Sequence, residues 1–193
     1  GYWVSDLIQS TQWLLTQAPW HQVQDSLSEQ SSLWSWWVIL VVLSLVMQDL
    51  ITPKFTQLMS KNVTYVGNVT QDKFIYTLYT LVASLLYSTI KPLPLIIGGL
   101  IFYLSEHNLV SALGMGVLAI GMLYQLYRFT YLLALDNGLL IGHFKGDKPI
   151  IRAGQQRLRA LTVLATPIVG IVGFTEILEA SQVRNSLGRG AFI

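Results

Sequence analysis

The sequence predicts an all-α fold: a polytopic helical membrane protein fragment with about four transmembrane helices and an N-terminal interfacial helix. Hydrophobic residues occupy 52% of the 193 positions and charged residues only 11%, whereas soluble domains carry about 25% charged residues. The mean hydropathy is +0.51. Several apolar windows also approach about 20 residues, the length that a helix needs to cross a bilayer. Together these observations exclude an ordinary soluble domain.

Four windows have the length and composition of transmembrane helices. They are residues 33–50, 74–104, 109–135 and 161–178. The second contains the segment TIKPLPL, where Pro92 and Pro94 lack the backbone donors of a regular helix and therefore predict a kink. This window is either one long kinked span or two shorter pieces. A separate piece at residues 93–104 would be too short to cross, because a span needs about 20 residues.

The basic residues predict an orientation, because short cytoplasmic loops carry an excess of Lys and Arg. Eight of the twelve basic residues follow the first or the third span, whereas residues 1–32 contain none. These eight lie on one side of the membrane only if residues 74–104 cross once. The N-terminal segment is therefore predicted to be periplasmic, with Arg184 and Arg189 as exceptions to the pattern. The predicted cytoplasmic basic loop contains Lys145, Lys148, Arg152, Arg157 and Arg159.

Residues 1–32 form a periplasmic or interfacial segment in this interpretation. They contain too few consecutive apolar residues to cross a membrane, and all six tryptophans lie within them or at the start of the first span. Indole rings favour the membrane interface, so we predict a surface-lying amphipathic helix in preference to a solvated loop. The predicted interfacial anchors are Trp3, Trp13, Trp20, Trp34, Trp36 and Trp37.

The remaining residues, 33–193, are predicted to form a transmembrane helical domain without catalytic chemistry. The chain has no cysteine, and its three histidines are isolated from carboxylates at ligand spacing. It also lacks the motifs of nucleotide-binding loops and of nucleophilic hydrolases. We therefore expect no enzyme activity, no cofactor and no metal. Membrane lipids are the expected partners, and nucleic acid is not expected.

Within the predicted spans we consider one ionisable residue as a candidate, Lys91, which lies beside the two prolines. One interpretation is an ion or substrate contact at a broken helix, as in secondary transporters. The other is a side chain that extends to the interface while the prolines bend a tilted helix. The candidate hinge or tension-coupling residues are Lys91, Pro92, Pro94 and Pro167.

Two stretches resemble the large MscS-like mechanosensitive channels of the MscK and MscM type. The first is GNVTQDKFIYTLYTLVAS at residues 67–84, which contains Thr70, Gln71 and Asp72. The second runs from residue 137 to 174, contains His143 and Phe144, and is followed by RNSLGRGAFI. Where that family commonly has an aromatic residue shortly after the His-Phe pair, this chain has KGDKP.

The resemblance implies a multi-pass protein of the bacterial inner membrane that forms a heptamer and opens under membrane tension to release solutes in hypo-osmotic shock. It also implies that a further helix starts at residues 186–193 and that the pore lies beyond this segment. We therefore expect the chain to be an internal piece of a longer polypeptide and to act as a non-pore, lipid-facing sensor segment. The alternatives are a fragment of a secondary transporter and a structural assembly module.

Overall fold

The computed structural model describes residues 20–29, 31–68 and 73–177, together with the single positions Ile8, Gln12 and Thr16. This described part is helical and contains no strand, which confirms the predicted all-α class. The elements with defined bounds are α1 (His21–Glu29), α2 (Ser31–Asn68), α3 (Lys73–Thr89), α4 (Leu93–Tyr103), α5 (Asn108–Leu133), a π-helix (Leu139–His143) and α6 (Lys148–Ile177).

Three of these helices are long and apolar enough to cross a membrane. Among the described residues they are Ser31–Val66, Asn108–Leu133 and Lys148–Ile177. A fourth span is formed if Phe74–Thr89 and Leu93–Tyr103, which are bent by 57° at a short break, are taken as one crossing. The bend lies at the TIKPLPL segment, where the prolines predicted it.

Helix α2 has 38 residues, or about 57 Å at the rise of an α-helix, and so exceeds a hydrocarbon core of about 30 Å. It continues through Pro53 into the polar sequence after the predicted first span. One stripe of α2 is buried along about half of this length, at spacings that keep side chains on one helix face. The buried members are Ser44, Gln48, Phe55, Met59 and Asn62.

The chain divides into two compact units. The first, which we call the glycine unit, comprises residues 1–40, 94–123 and 164–193, and the second, the polar unit, comprises residues 41–93 and 124–163. The two names describe how the helices within each unit make contact.

In the glycine unit, helix backbones pack directly against one another. A methyl group at Gly99 of α4 would lie 2.6 Å from the backbone nitrogen of Leu118 on α5. On the contact between α5 and α6, a methyl group at Gly116 would lie 2.9 Å from the carbonyl oxygen of Gly170, and one at Gly173 would lie 3.0 Å from that of Met115. Such close approach is typical of small residues in membrane helices.

In the polar unit, a small apolar core is accompanied by buried polar side chains. The ring of Phe55 stacks on Tyr87 with centroids 4.1 Å apart, and both pack with Met59 and Leu132. Of the eight buried polar side chains in the described structure, seven belong to this unit, and Thr175 belongs to the glycine unit. The seven are Ser44, Gln48, Asn62, Thr80, Ser84, Ser88 and His143.

Candidate functional site

The break between α3 and α4 is a three-residue turn at positions 90–92. Pro92 is fully buried and has no backbone N–H, so the helical hydrogen bond to the carbonyl of Ser88 cannot form. Pro94 is tolerated in the first turn of α4, where backbone donors have no intrahelical partner. Lys91 is exposed. The other predicted hinge residue, Pro167, is also exposed, and α6 continues through it.

Gln125 of α5 holds the end of α3 immediately before this turn. Its Nε2 donates to the hydroxyl oxygens of Ser88 at 3.0 Å and Thr89 at 2.9 Å. Both hydroxyls in turn donate to the carbonyl oxygen of Leu85 within α3. The last turn of α3, which lacks the regular helical continuation, is therefore tied to a neighbouring helix by one amide group.

A second amide, that of Gln48, joins three helices. Gln48 of α2 donates through Nε2 to the hydroxyl of Tyr87 on α3, and Tyr87 also bonds to Thr52 Oγ1 at 2.6 Å. The oxygen of the same amide accepts from Arg128 of α5, whose Nη2 lies 3.4 Å from Gln48 Oε1. We call Gln48, Thr52, Tyr87, Gln125 and Arg128, with the Ser88 and Thr89 hydroxyls, the polar cluster.

Arg128 is the site residue that the sequence analysis missed. The sequence did indicate Arg128, because it is a charged residue inside the apolar window 109–135 and such residues are functional candidates by default. In the described structure it makes no ion pair, and its guanidinium carbon lies 5.9 Å from the centroid of the Tyr87 ring. Its cation is therefore stabilised by an amide oxygen and an aromatic face, without a carboxylate.

Two atoms of the polar cluster are buried without a hydrogen-bond partner in the described structure. They are the acceptor Oε1 of Gln125 and the donor Nε of Arg128. The two residues are three positions apart on α5, a spacing that places side chains on the same helix face. Unpaired buried polar atoms are rare and costly, and here a donor and an acceptor on one face of α5 are both left unpaired.

A second polar site forms around His143, in the π-helix. Its Nδ1 lies 3.0 Å from Thr77 Oγ1 and its Nε2 lies 3.2 Å from Thr80 Oγ1, which also accepts a hydrogen bond from Asn62 Nδ2. Burial, and secondarily the positive charge of Lys145, lowers the pKa of His143 below its ordinary value of 6.5. The neutral ring therefore connects the π-helix to α2 and α3.

The predicted anchor tryptophans take different positions. Trp37 Nε1 donates to the carbonyl oxygen of Pro94 at 2.8 Å, and its indole lies against Gly98. Trp34 packs on Phe102 and on Trp37, with its own Nε1 buried and unpaired among the described groups. Trp37 and Trp34 thus pack against α4, whereas Trp36 and Trp20 are exposed. Trp3 and Trp13 lie outside the described residues.

The predicted basic loop is divided by the fold. Lys145 follows the π-helix with a left-handed backbone, φ 56°, and Arg152 pairs with Asp136 at 3.2 Å. The other three, Lys148, Arg157 and Arg159, are exposed on α6. Of the family-motif positions, His143 is buried and Phe144 is exposed, while Thr70, Gln71 and Asp72 lie outside the described residues. Within residues 20–29, 31–68 and 73–177, no group of three His, Cys, Asp or Glu side chains is placed to hold a metal.

Comparisons with known proteins relate the chain to one family. Residues 33–193 match the family model described as mechanosensitive ion channel inner membrane domain 1. Over 142 residues the chain is 32% identical to the miniconductance mechanosensitive channel MscM of Escherichia coli (strain K12). That match covers 72% of this chain and 13% of the relative, so the chain spans a small part of the relative's length. No solved structure matches the chain.

Proposed function

This chain belongs to the family of MscS-like mechanosensitive channels, and from that membership we propose that it is a non-pore, lipid-facing segment through which such a channel senses membrane tension. The family match describes an inner-membrane domain, and the several spans make it a multi-pass one. The family is a class of ion channels and not of enzymes. The sensor role itself is the proposal, and the bent helix pair is the observation that carries it.

The apolar faces left open by the fold support a lipid-facing position. In the hydrophobic windows of α2 and α6 only 11% of the residues are buried, compared with 33% in α5. Large apolar side chains project from both helices, among them Val42 and Leu50 of α2 and Val163 of α6. In a membrane, acyl chains cover such faces without the cost that water would impose.

The bent pair supplies a part that can change its membrane footprint. Tension favours the conformation with the larger area in the plane of the bilayer, and tilt or kink angles are inexpensive ways to change that area. The turn at positions 90–92 lacks regular helical bonds, and Gln125 holds the last two residues of α3, Ser88 and Thr89, beside it. Releasing this amide, with Gln125 Oε1 turning to Arg128 Nε, is the proposed response to tension.

Tension gating of the full-length protein tests this function. In patch-clamp recordings under a pressure ramp, Gln125→Leu is expected to open at lower tension than wild type, because the amide that fixes the bend is lost. Gln57→Leu, the same change at an exposed position of α2, serves as the control and should leave the threshold unchanged. Equal thresholds for all three proteins, with membrane insertion verified, would exclude the bend as the sensing element. Absence of a tension-gated current would remove the channel assignment.

We also propose the predicted topology, with the N-terminal segment periplasmic and the basic loop cytoplasmic. Because the chain has no cysteine, single cysteines report sidedness cleanly. Ser28 is exposed, and a side chain at Gly154 meets nothing within 4 Å, so Ser28→Cys and Gly154→Cys should both be tolerated. An impermeant maleimide should label them from opposite sides. Labelling from one side would mean that the bent pair does not cross once.

A homo-oligomer, with seven copies as the family resemblance implies, is the proposed assembly. Native mass spectrometry of the full-length protein in detergent tests it, because the mass gives the number of copies directly. The family match disfavours the two alternatives, a transporter fragment with Lys91 at a central site and a structural assembly module.

A further inference from the structure

A groove between α5 and α6 in the polar unit presents only polar and aromatic side chains. It has a volume of about 370 Å³ and is lined by Tyr127, Tyr131, Arg152, Gln155, Gln156 and Arg159. The four α6 residues follow the spacing i, i+3, i+4 and i+7, which places them on one helix face. Two guanidinium groups, two amides and two phenols thus share one concave surface, which we call the basic groove.

The basic groove has the composition of a phosphate site. Arginine donates through a planar fork that fits two phosphate oxygens, and amide N–H and phenol O–H groups supply further donors. None of its six lining residues is acidic. The groove is positioned by the hydrogen bond from Gln155 Nε2 to the carbonyl oxygen of Tyr131, 3.2 Å.

A second cavity, of about 330 Å³, adjoins the first and shares Tyr131, Arg152 and Gln155 with it. Its other walls combine the apolar side chains of Phe55, Met59, Ala134 and Leu135 with the polar ones of Thr56, Asp136 and Asn137. A ligand that fills both cavities, and takes the place of Asp136 beside Arg152, needs an anionic group next to a portion that packs on the apolar walls. A phospholipid has this composition, whereas a free phosphate uses only the basic groove.

We propose that the basic groove binds the phosphate of an anionic phospholipid headgroup, with the adjoining cavity receiving the apolar part next to it. Arg159 makes no side-chain hydrogen bond within the described structure, so its donors are available to a ligand. Arg152 is paired with Asp136, but that ion pair is exposed, with side-chain exposures of 61% and 54%. Exposed pairs contribute little net stability, so a phosphate can replace the carboxylate.

This inference rests on the proposed function only in requiring the groove to lie at the membrane surface. Binding is measured on the full-length protein, delipidated in detergent and titrated with phosphatidylglycerol or phosphatidylcholine, with native mass spectrometry as the readout. Neither tension nor current enters this measurement. Loss of tension gating would therefore leave the binding result intact, and failure of binding would leave the recordings interpretable.

The variants separate a built site from general attraction to basic residues. Arg159→Gln and Arg152→Gln should each weaken phosphatidylglycerol binding about fivefold, the contribution of one basic residue near an anionic membrane. Arg157→Gln removes the same charge from α6 outside the groove and should leave affinity unchanged. Asp136→Asn removes the carboxylate that competes for Arg152 and should strengthen binding. Equal weakening by Arg157→Gln and Arg159→Gln would overturn the proposal.

Two further outcomes are decisive. Phosphatidylcholine should bind more weakly than phosphatidylglycerol, and equal affinity would overturn the assignment to an anionic lipid. Inorganic phosphate, added at millimolar concentration, should fail to displace phosphatidylglycerol, because it lacks the apolar portion. Displacement by inorganic phosphate would identify a soluble anion as the ligand and overturn the lipid. If Arg152→Gln does not fold because it loses the ion pair with Asp136, Arg159→Gln alone still tests the proposal.

Discussion

The two compact units solve the same problem, contact between apolar helices, with different chemistry. The glycine unit removes side chains, so that the backbones of α4, α5 and α6 touch. In the polar unit seven polar side chains are buried, and all of them except Ser84 form hydrogen bonds. Backbone packing leaves no alternative arrangement without a clash, whereas hydrogen bonds can exchange partners. We therefore expect the glycine unit to be rigid and the polar unit to contain the parts that move.

The strongest test of this contrast is a methyl group in the glycine unit. A side chain at Gly114 would overlap the backbone nitrogen of Tyr103, and neither backbone can move without separating α4 from α5. Gly114→Ala is expected to destabilise the protein by about 3 kcal/mol, the upper range for overpacking. Gly154→Ala, in open space, is the control. Thermal unfolding in detergent measures both, and similar melting temperatures would show that the contact is not tight.

The next largest effect is expected at Gln48. Gln48→Leu removes an acceptor from Arg128 and a donor to Tyr87, so it should cost about 2 kcal/mol through unsatisfied buried groups. Adding Arg128→Leu should recover part of this loss, because the cation that lacks a partner is also removed. A double-mutant cycle on unfolding free energies measures the coupling. Additive losses would mean that the two side chains act independently.

The His143 site predicts a dependence of stability on pH. The pKa of His143 is lowered in the folded state from its ordinary value of 6.5, so the unfolded state binds more protons between the two values. Stability therefore rises with pH across this interval. The stabilisation that comes from neutral, buried His143 is fully present above about pH 6.5, and it is lost progressively as the pH falls toward the pKa of His143 in the folded state. Unfolding curves at pH 7.5 and pH 5 should differ for wild type by more than for His143→Gln. An equal pH effect in both proteins would assign it to other groups.

The smallest expected effect is at Lys145, whose φ of 56° is unfavourable for a residue with a side chain. Lys145→Gly should stabilise the protein by about 1 kcal/mol, because glycine adopts this conformation without strain. It should also reduce the loss of stability in acid, since the Lys145 charge is one cause of the lowered pKa of His143. Lys148→Gly, at the start of α6, should neither stabilise the protein nor reduce its loss of stability in acid. A destabilised Lys145→Gly protein would contradict the strain argument.

Much of the fold follows from local composition. The lengths of the apolar windows predicted helices across the described residues, and the prolines of TIKPLPL predicted the bend, because both effects act within a few residues along the chain. The family was also identifiable, since its motifs are contiguous in sequence. The placement of basic residues predicts an orientation that the labelling experiment tests.

The candidate site depended on how the helices pack. Arg128 was visible in the sequence as a charge inside an apolar window, but its partners Gln48 and Tyr87 come from two other helices. Among the predicted basic-loop residues, only Arg152 and Arg159 line the groove with two tyrosines of α5. Hydropathy and spacing determine which segments are helical, while the rotation of each helix about its axis is set by contacts with its neighbours. The sequence by itself therefore determined the class, the family and the bend, and only the tertiary structure decided which polar groups meet.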